Sequence, residues 1–240
     1  MYKMSSKRIQ KRNIVVLGKS GSGKSTIANR IVGDEVFRVA RSVNGVTKRP
    51  QYEETEYCKD DILYKIKMMD TVGLFDPSRD KDNKSIVREA KHFFRKNAPE
   101  GISLVLFVLR EGRFTPEEKD TFSILAKNFH REKVNEISAL IVTNCENYDQ
   151  EERETLKRDL RESALTKSMC EFMHKGIFTV GFPALKTAKV AAKPVFAESA
   201  LEDAETLRDL VRKCEDKMIL TEEILSDSFW EKVGRTCQIL

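Results

Sequence analysis

The stretch IVVLGKSGSGKSTIANRIVG, residues 14–33, decides the fold. It starts with Ile14–Leu17, a short β-branched run typical of a buried strand. Residues 18–25 follow and match the pattern GxxxxGKS, and the residues after them have helical spacing. A strand, a glycine-rich loop and a helix in this order predict a loop that binds phosphate groups.

Each residue type in this loop has a role in holding phosphate. Glycines let successive backbone N–H groups turn toward a β-phosphate, and the helix that follows adds the positive end of its dipole. Lys24 bridges the β- and γ-phosphates, and the Ser25 hydroxyl coordinates Mg²⁺. The predicted nucleotide-binding residues of the loop are Gly18, Lys19, Ser20, Gly21, Ser22, Gly23, Lys24, Ser25 and Thr26.

A DxxG motif, residues 70–73, ends the alternating run Ile62–Met69 about 45 residues after the phosphate-binding loop. This spacing suits a GTPase switch, in which Asp70 holds Mg²⁺ through a water molecule and the Gly73 N–H contacts the γ-phosphate. The polar, turn-rich residues 42–51 between the two motifs predict a first switch, with Thr47 as its ligand of Mg²⁺ and γ-phosphate; on the residues alone, Ser42 is an alternative. The predicted metal ligands are Ser25, Thr47 and Asp70.

The remaining apolar runs predict an α/β fold with a mostly parallel central sheet. The further core strands are Ile102–Leu109, Ala139–Val142 and Ile177–Val180, while the alternating run Ile62–Met69 is expected toward an edge of the sheet. Helical spacing occurs in Lys24–Val32, Lys84–Lys96, Pro116–Phe129, Glu151–Met173 and Ala200–Lys217, and an extra amphipathic helix is predicted in Leu220–Leu240. The expected organisation is a basic flexible arm (1–12), one G domain (13–218) and a C-terminal helix and tail (219–240).

Composition excludes several classes of protein. The net charge of +5 arises from five basic residues among the first twelve, so the body is neutral and binding to nucleic acid is not expected. The mean hydropathy is −0.47, and the longest strongly apolar run, Ile102–Leu109, is far shorter than the roughly 20 residues of a membrane helix. Five widely spaced cysteines without a CxxC pair indicate reduced thiols and a cytoplasmic protein.

Four segments carry a resemblance to a known family: GKSGSGKSTIANRIVG with Phe37 downstream, VTKRPQ at 46–51, DTVGLFD at 70–76, and GRFT at 112–115 with Glu117 and Glu118. Together they resemble the immunity-associated GTPases known as the GIMAP or IAN family, for which the RFTxEE box is a family mark. The similarity runs from about Ile14 to the neighbourhood of Asp149. It implies a septin-like GTPase domain that dimerises across its nucleotide face, often on intracellular membranes, in immune or stress responses.

The RFT box itself has two interpretations. It follows an apolar strand and precedes a helix with Pro116 in the first turn. Arg113 with Glu117 and Glu118 is expected to form an ionic brace in or near a dimer face; the alternative is a solvated loop with a helix cap.

The segment expected to select the base departs from the family pattern. GTPases use Asn/Thr-Lys-x-Asp, whereas the strand Ala139–Val142 leads here into TNCEN, residues 143–147. One register places Glu146 at the acidic position and Thr143 and Asn144 at the first two; the other begins at Asn144 and ends at Asn147, without an acid. We prefer Glu146, because only a carboxylate accepts from both guanine donors. The family's later asparagines are missing, and Gly181 stands at the end of the corresponding strand.

The sequence therefore predicts a guanine-nucleotide switch that binds GTP/GDP with Mg²⁺ and hydrolyses GTP slowly, because Leu74 follows the DxxG motif and cannot orient an attacking water. No catalytic side chain is assigned. The expected partners are guanine nucleotide, a second copy of the chain and a membrane surface on its cytosolic face. The rival functions are a nucleotide-dependent scaffold with negligible turnover and an ATP-using P-loop protein.

The last four residues, Cys237-Gln238-Ile239-Leu240, fit the CaaX pattern, in which a final Leu favours geranylgeranylation. A second signal for the membrane would come from the basic arm Lys3–Arg12. The alternative is a chance tetrapeptide with an unmodified thiol.

Overall fold

A computed structural model describes residues 8–33, 51–71, 83–112, 114–128, 130–183, 193–215, 218–220 and 223. Within these ranges, six strands form one sheet in the order β2-β3-β1-β4-β5-β6. The strands are β1 (Arg8–Leu17), β2 (Gln51–Lys59), β3 (Ile62–Asp70), β4 (Leu104–Arg110), β5 (Ser138–Thr143) and β6 (Ile177–Thr179). Only β2 runs antiparallel to its neighbour, so the prediction of a mostly parallel sheet is confirmed.

Helices cover both faces of the sheet. They are α1 (Lys24–Val32), α2 (Asn83–Asn97), α3 (Pro116–Asn128), α4 (Arg131–Val134), α5 (Gln150–Glu162), α6 (Lys167–Phe172) and α7 (Lys193–Arg212), with a 3-10 turn at Asn135–Ile137. Alternate residues of β1 face opposite layers: Val15 and Leu17 contact the cluster that includes Phe94, whereas Ile14 and Val16 contact the cluster that includes Ile27. The sheet therefore has a buried core on each side, as expected of parallel strands between helices.

Some element boundaries differ from the sequence prediction. The predicted helix Glu151–Met173 is two helices, because the chain leaves the helical conformation at Ser163 (φ −65°, ψ 130°). The strand β2 was not predicted; its outward face includes the exposed Tyr52 and two glutamates, as expected of an edge strand. The run Ile62–Met69 lies one position in from that edge.

The first strand also begins earlier than expected, at Arg8, so residues 8–12 belong to the sheet rather than to an N-terminal arm. Arg12 is only 1% exposed and its guanidinium donates to the carbonyls of Val211 (3.2 Å) and Cys214 (2.8 Å) at the end of α7. Ile219 pairs with Ile102 in an isolated β-bridge, so the chain is extended there. The predicted helix in residues 220–240 lies almost wholly outside the described residues, as does Cys237. In the described ranges, no helix has the length and apolar content needed to span a bilayer.

Candidate nucleotide site

The phosphate-binding loop lies between the end of β1 and the start of α1. Gly18 has a φ of +146°, and a Cβ atom there would lie 2.3 Å from the carbonyl oxygen of Val108, so only glycine fits between the loop and β4. Gly23 immediately precedes α1 with a φ of +98°, and its missing side chain leaves room for Thr143. The two glycines thus allow the loop to pack directly against the ends of β4 and β5.

Two buried polar groups of the loop, the Lys24 ammonium and the Ser22 hydroxyl, indicate a site for a charged ligand. Lys24 is 4% exposed, and its ammonium donates to the carbonyl of Lys19 across the loop at 2.9 Å. The hydroxyl of Ser22 is buried and has no hydrogen-bond partner among the described residues. A buried polar atom without a partner is costly, and together with the glycine-lined loop this fits a phosphate-binding cradle.

The predicted metal ligands from the loop and from β3 meet. The Ser25 hydroxyl donates to the fully buried Asp70 carboxylate, with 2.9 Å between Oγ and Oδ2. Thr71, the next residue, bonds the carbonyl of Val16 through its hydroxyl (2.8 Å), which fixes the end of β3 beside β1. The Ser25 hydroxyl and the Asp70 carboxylate would supply part of the oxygen ligands of Mg²⁺. Water and phosphate oxygens would supply the rest. The described residues contain no group of three or more His, Cys, Asp or Glu side chains able to hold a metal alone.

The base-selecting segment begins at Thr143, which ends β5. Its hydroxyl lies 2.7 Å from the carbonyl oxygen of Ser22 and 3.2 Å from that of Leu109, so it ties β5 to the phosphate-binding loop. Thr143 therefore anchors the start of the base-selecting segment to the phosphate-binding loop. Asn144 has a φ of +72°, a left-handed conformation that asparagine tolerates.

The end of β6 lies against the same segment. A Cβ atom on Gly181 would lie 2.2 Å from the backbone nitrogen of Glu146, so glycine is required for this close approach. The Cys145 N–H donates to the carbonyl of Val180 at 3.2 Å, and burial raises the pKa of the Cys145 thiol to about 12. The structure therefore brings Glu146 and Gly181 together, with Glu146 half-buried and Asn147 exposed.

Other predicted site residues lie outside the described ranges: Thr47, Gly73, Leu74 and Arg113. In the RFT box, the carboxylate of Glu118 accepts the Thr115 N–H at 3.0 Å, and Glu118 is 7% exposed. This bond caps the start of α3, while the ionic brace stays a prediction, because Arg113 and the side chain of Glu117 lie outside the described residues. Sequence reasoning missed a buried ion pair, Arg153 with Asp203, beside the base segment; no motif marks it, because 50 positions separate its members.

Comparison with known proteins identifies relatives of this chain. It is 31% identical over 163 residues to immune-associated nucleotide-binding protein 9 of Arabidopsis thaliana, covering 67% of this chain and 45% of that protein. It is 31% identical over 118 residues to GTPase IMAP family member 8 of Rattus norvegicus, covering 49% and 17% of the two chains. The chain thus spans less than half the length of these relatives.

Solved structures show the same fold. Toc33 from Arabidopsis thaliana, as a dimerisation-deficient mutant, aligns with a TM-score of 0.57 at 21% identity over 85% of this chain and 87% of that one. Era, solved in complex with MgGDPNP and ribosomal RNA, aligns with a TM-score of 0.56 at 15% identity over 90% and 62%. A model of the AIG1 family matches residues 12–176, which contain both the phosphate-binding loop and the base segment. The chain therefore belongs to the AIG1 family.

Proposed function

We propose that this chain is a guanine-nucleotide switch that binds GTP and GDP with Mg²⁺, hydrolyses GTP slowly and dimerises through its nucleotide face. The observation that carries the proposal is the contact between Ser25 and Asp70 at 2.9 Å, beside the buried ammonium of Lys24. These residues come from two separate motifs, 45 positions apart, and they form one site for phosphate and magnesium.

Each residue of the site has a specific task. Lys24 stabilises the β- and γ-phosphate charges, and the backbone N–H groups of the glycine-rich loop orient the phosphate chain. Ser25 and Asp70 would hold the metal, and Thr47 and Gly73, which lie outside the described residues, are the residues that the proposal assigns to the γ-phosphate. When bound, Mg²⁺ neutralises the charge that develops on the phosphate oxygens during transfer.

Guanine selection is assigned to Glu146, with Thr143, Asn144 and Gly181 as its supports. The half-buried position of Glu146 beside Gly181, compared with the exposed position of Asn147, supports the register that ends in a carboxylate. Two relatives by fold support the nucleotide: Toc33 has been solved with Mg²⁺ and GMPPNP (TM-score 0.54, 18% identity, 85% of each chain), and Era with MgGDPNP.

Titration calorimetry of the wild type with GTP, GDP and ATP, with Mg²⁺ and then with a chelator, tests the proposal. We expect tight binding of GTP and GDP that weakens without Mg²⁺. Lys24→Ala removes charge-assisted hydrogen bonds to two phosphates, each worth about 1.5–3 kcal/mol, so affinity should fall by about 100-fold or more. The control is Lys65→Ala, which removes an exposed lysine of β3 paired only on the surface with Glu56. Unchanged GTP affinity in Lys24→Ala would contradict the assignment.

The dimer and the slow turnover are tested together. Because Leu74 cannot orient water, a partner subunit is expected to complete the site, so GTP turnover per molecule should rise with protein concentration. Light scattering should show a dimer with a GTP analogue and a monomer with GDP. A constant specific activity and a monomer in both states would remove dimerisation from the proposal.

The proposed location is the cytoplasm, on the cytosolic face of intracellular membranes, as the resemblance to immunity-associated GTPases implies. Fractionation of cells that express the chain checks this. Recovery of the wild type wholly in the soluble fraction would contradict membrane association.

A further inference from the structure

Arg153, near the start of α5, has every N–H group of its guanidinium engaged. Guanidinium groups carry five donors in a fixed planar fork. All five bonds of Arg153 are accounted for: Nε to Tyr148 O (3.3 Å), Nη1 to Thr179 O (2.9 Å) and Asp203 Oδ1 (2.7 Å), and Nη2 to Cys145 O (3.2 Å) and Asp203 Oδ2 (3.0 Å). One side chain therefore contacts the segment after β5, the last residue of β6 and helix α7.

Asp203 completes the connection from α7. Its carboxylate accepts two bonds from Arg153, and Oδ2 also accepts the backbone N–H of Gly181 at 2.7 Å. The side chains of Arg153 and Asp203 are only 12% and 10% exposed, so solvent screens this pair little. The pair thus bonds backbone groups from two loops, residues 144–149 and 179–183, and holds them against each other.

These two loops contain the residues assigned to the base. Glu146 lies between Cys145 and Tyr148, whose carbonyls Arg153 binds, and Gly181 donates directly to Asp203. Among the described residues, the hydrogen bonds of Arg153 and Asp203 go to residues 145–148, 179–181 and to each other, and none goes to the phosphate-binding loop. A buried ion pair is weak evidence for stability, because desolvation offsets its attraction. This pair fixes the orientation of four backbone groups, which are the carbonyls of Cys145, Tyr148 and Thr179 and the N–H of Gly181.

We infer that Arg153 and Asp203 are positioning residues for nucleobase selection, acting through the backbone of the two loops that hold Glu146 and Gly181. The inference rests on the proposed function for its consequence in nucleotide binding. Its structural basis, the joining of the two loops by one ion pair, is independent of the nucleotide.

Arg153→Lys is the decisive variant, because it keeps the positive charge but has three donors instead of five and no planar fork. The matched control is Arg212→Lys on α7: the Arg212 side chain is 9% exposed and bonds Glu205 and Asp209 but neither loop. Calorimetric titrations with GTP, ATP and inorganic tripolyphosphate, all with Mg²⁺, separate base from phosphate binding. We expect Arg153→Lys to weaken GTP by about 10- to 100-fold and to leave tripolyphosphate unchanged. Arg212→Lys should leave both affinities unchanged.

Hydrogen exchange of the nucleotide-free protein gives a second measurement. In Arg153→Lys, faster exchange should be confined to residues 144–149 and 179–183. Faster exchange across the whole domain, an equal loss of GTP and tripolyphosphate affinity, or unchanged GTP affinity would each overturn the inference. If Arg153→Lys fails to fold, Asp203→Asn is tested in the same way, since asparagine keeps the shape but loses the charge. Equal wild-type affinity for GTP and ATP would instead contradict the proposed selection of guanine. Hydrogen exchange in Arg153→Lys would still decide whether the ion pair joins the two loops.

Discussion

Replacement of Glu146 by glutamine tests the assignment of the base-selecting residue. Guanine presents two N–H donors on one edge, and a carboxylate accepts both, whereas a glutamine amide has one acceptor oxygen and an NH₂ group that opposes the second donor. The backbone of Glu146 is held in place by the close approach of Gly181, where a Cβ atom would lie 2.2 Å from the Glu146 nitrogen, so the loop has little room to shift in response to the substitution.

The magnitude follows from one lost contact and one weakened contact. A hydrogen bond to a charged group contributes about 1.5–3 kcal/mol, and the half-buried position of Glu146 favours the lower end. Loss of one such contact, about 1.5 kcal/mol, and replacement of the other by a neutral bond worth about 1 kcal/mol remove about 2 kcal/mol in total, which corresponds to an affinity for GTP about 30-fold weaker. ATP lacks this donor pair, so its affinity should change little.

Calorimetric titration of Glu146→Gln with Mg–GTP and Mg–ATP measures the difference, with Asn147→Ala as the control. Asn147 is exposed and occupies the acidic position only in the register that starts at Asn144. If Glu146→Gln weakens GTP and ATP equally, or Asn147→Ala alone removes the preference for GTP, the assignment of Glu146 is wrong.

Three further perturbations test other parts of the structure. Gly18→Ala places a methyl group 2.3 Å from the Val108 carbonyl and should lower the free energy of unfolding in urea by about 1–3 kcal/mol; Gly21→Ala, which also has positive φ but open space around it, should cost less, and equal costs would contradict the packing argument. The hydrogen bond from Lys59 lowers the pKa of Glu205 to about 2, so its stabilisation is present above the unfolded-state pKa near 4.5 and is lost as the pH falls toward 2. The melting temperatures of the wild type and Glu205→Gln should therefore converge over that range, and a constant difference would refute the pairing. Alkylation of the native protein should modify the exposed Cys58 rapidly and Cys145 slowly, because burial raises the Cys145 pKa to about 12; peptide mapping that finds similar rates would show that this site is open.

The parts of the site that sequence predicts are those in which one short motif contains both the backbone conformation and the chemistry. Lys24 and Ser25 are examples, because a glycine-rich segment that ends in a lysine and a hydroxyl, directly after a strand, is typical of a phosphate-binding loop. Asp70 is another, since its DxxG motif also directly follows a predicted strand. The register of the base segment is open in the sequence. The position of this segment depends on its contacts with Gly181 and with the phosphate-binding loop, and a side-chain bond across 121 positions, from Thr143 to Ser22, leaves no local pattern.

Long-range polar pairs and edge strands were the features that sequence reasoning missed. Arg153 and Asp203 lie on different helices, and each looks like an ordinary charged residue of a solvated helix face. The strand β2 lies at the edge of the described sheet, and only one of its faces is partly covered. Its sequence is therefore as polar as that of an exposed loop, and it does not show the apolar pattern of a strand. Such features depend on tertiary contacts, which override local propensity.

The burial of Arg12 has a consequence for the order in which this domain forms during synthesis. Two of its acceptors, the carbonyls of Val211 and Cys214, lie 199 and 202 positions further along the chain. Contacts of such separation form late, because closing a long loop costs entropy before any contact is gained. As long as α7 has not left the ribosome, the carbonyls that bind the Arg12 guanidinium are missing, and this charge of β1 cannot be buried as it is in the folded domain. Completion of β1 therefore depends on acceptors that are translated 199 and 202 positions later, which gives a chaperone an interval in which to act.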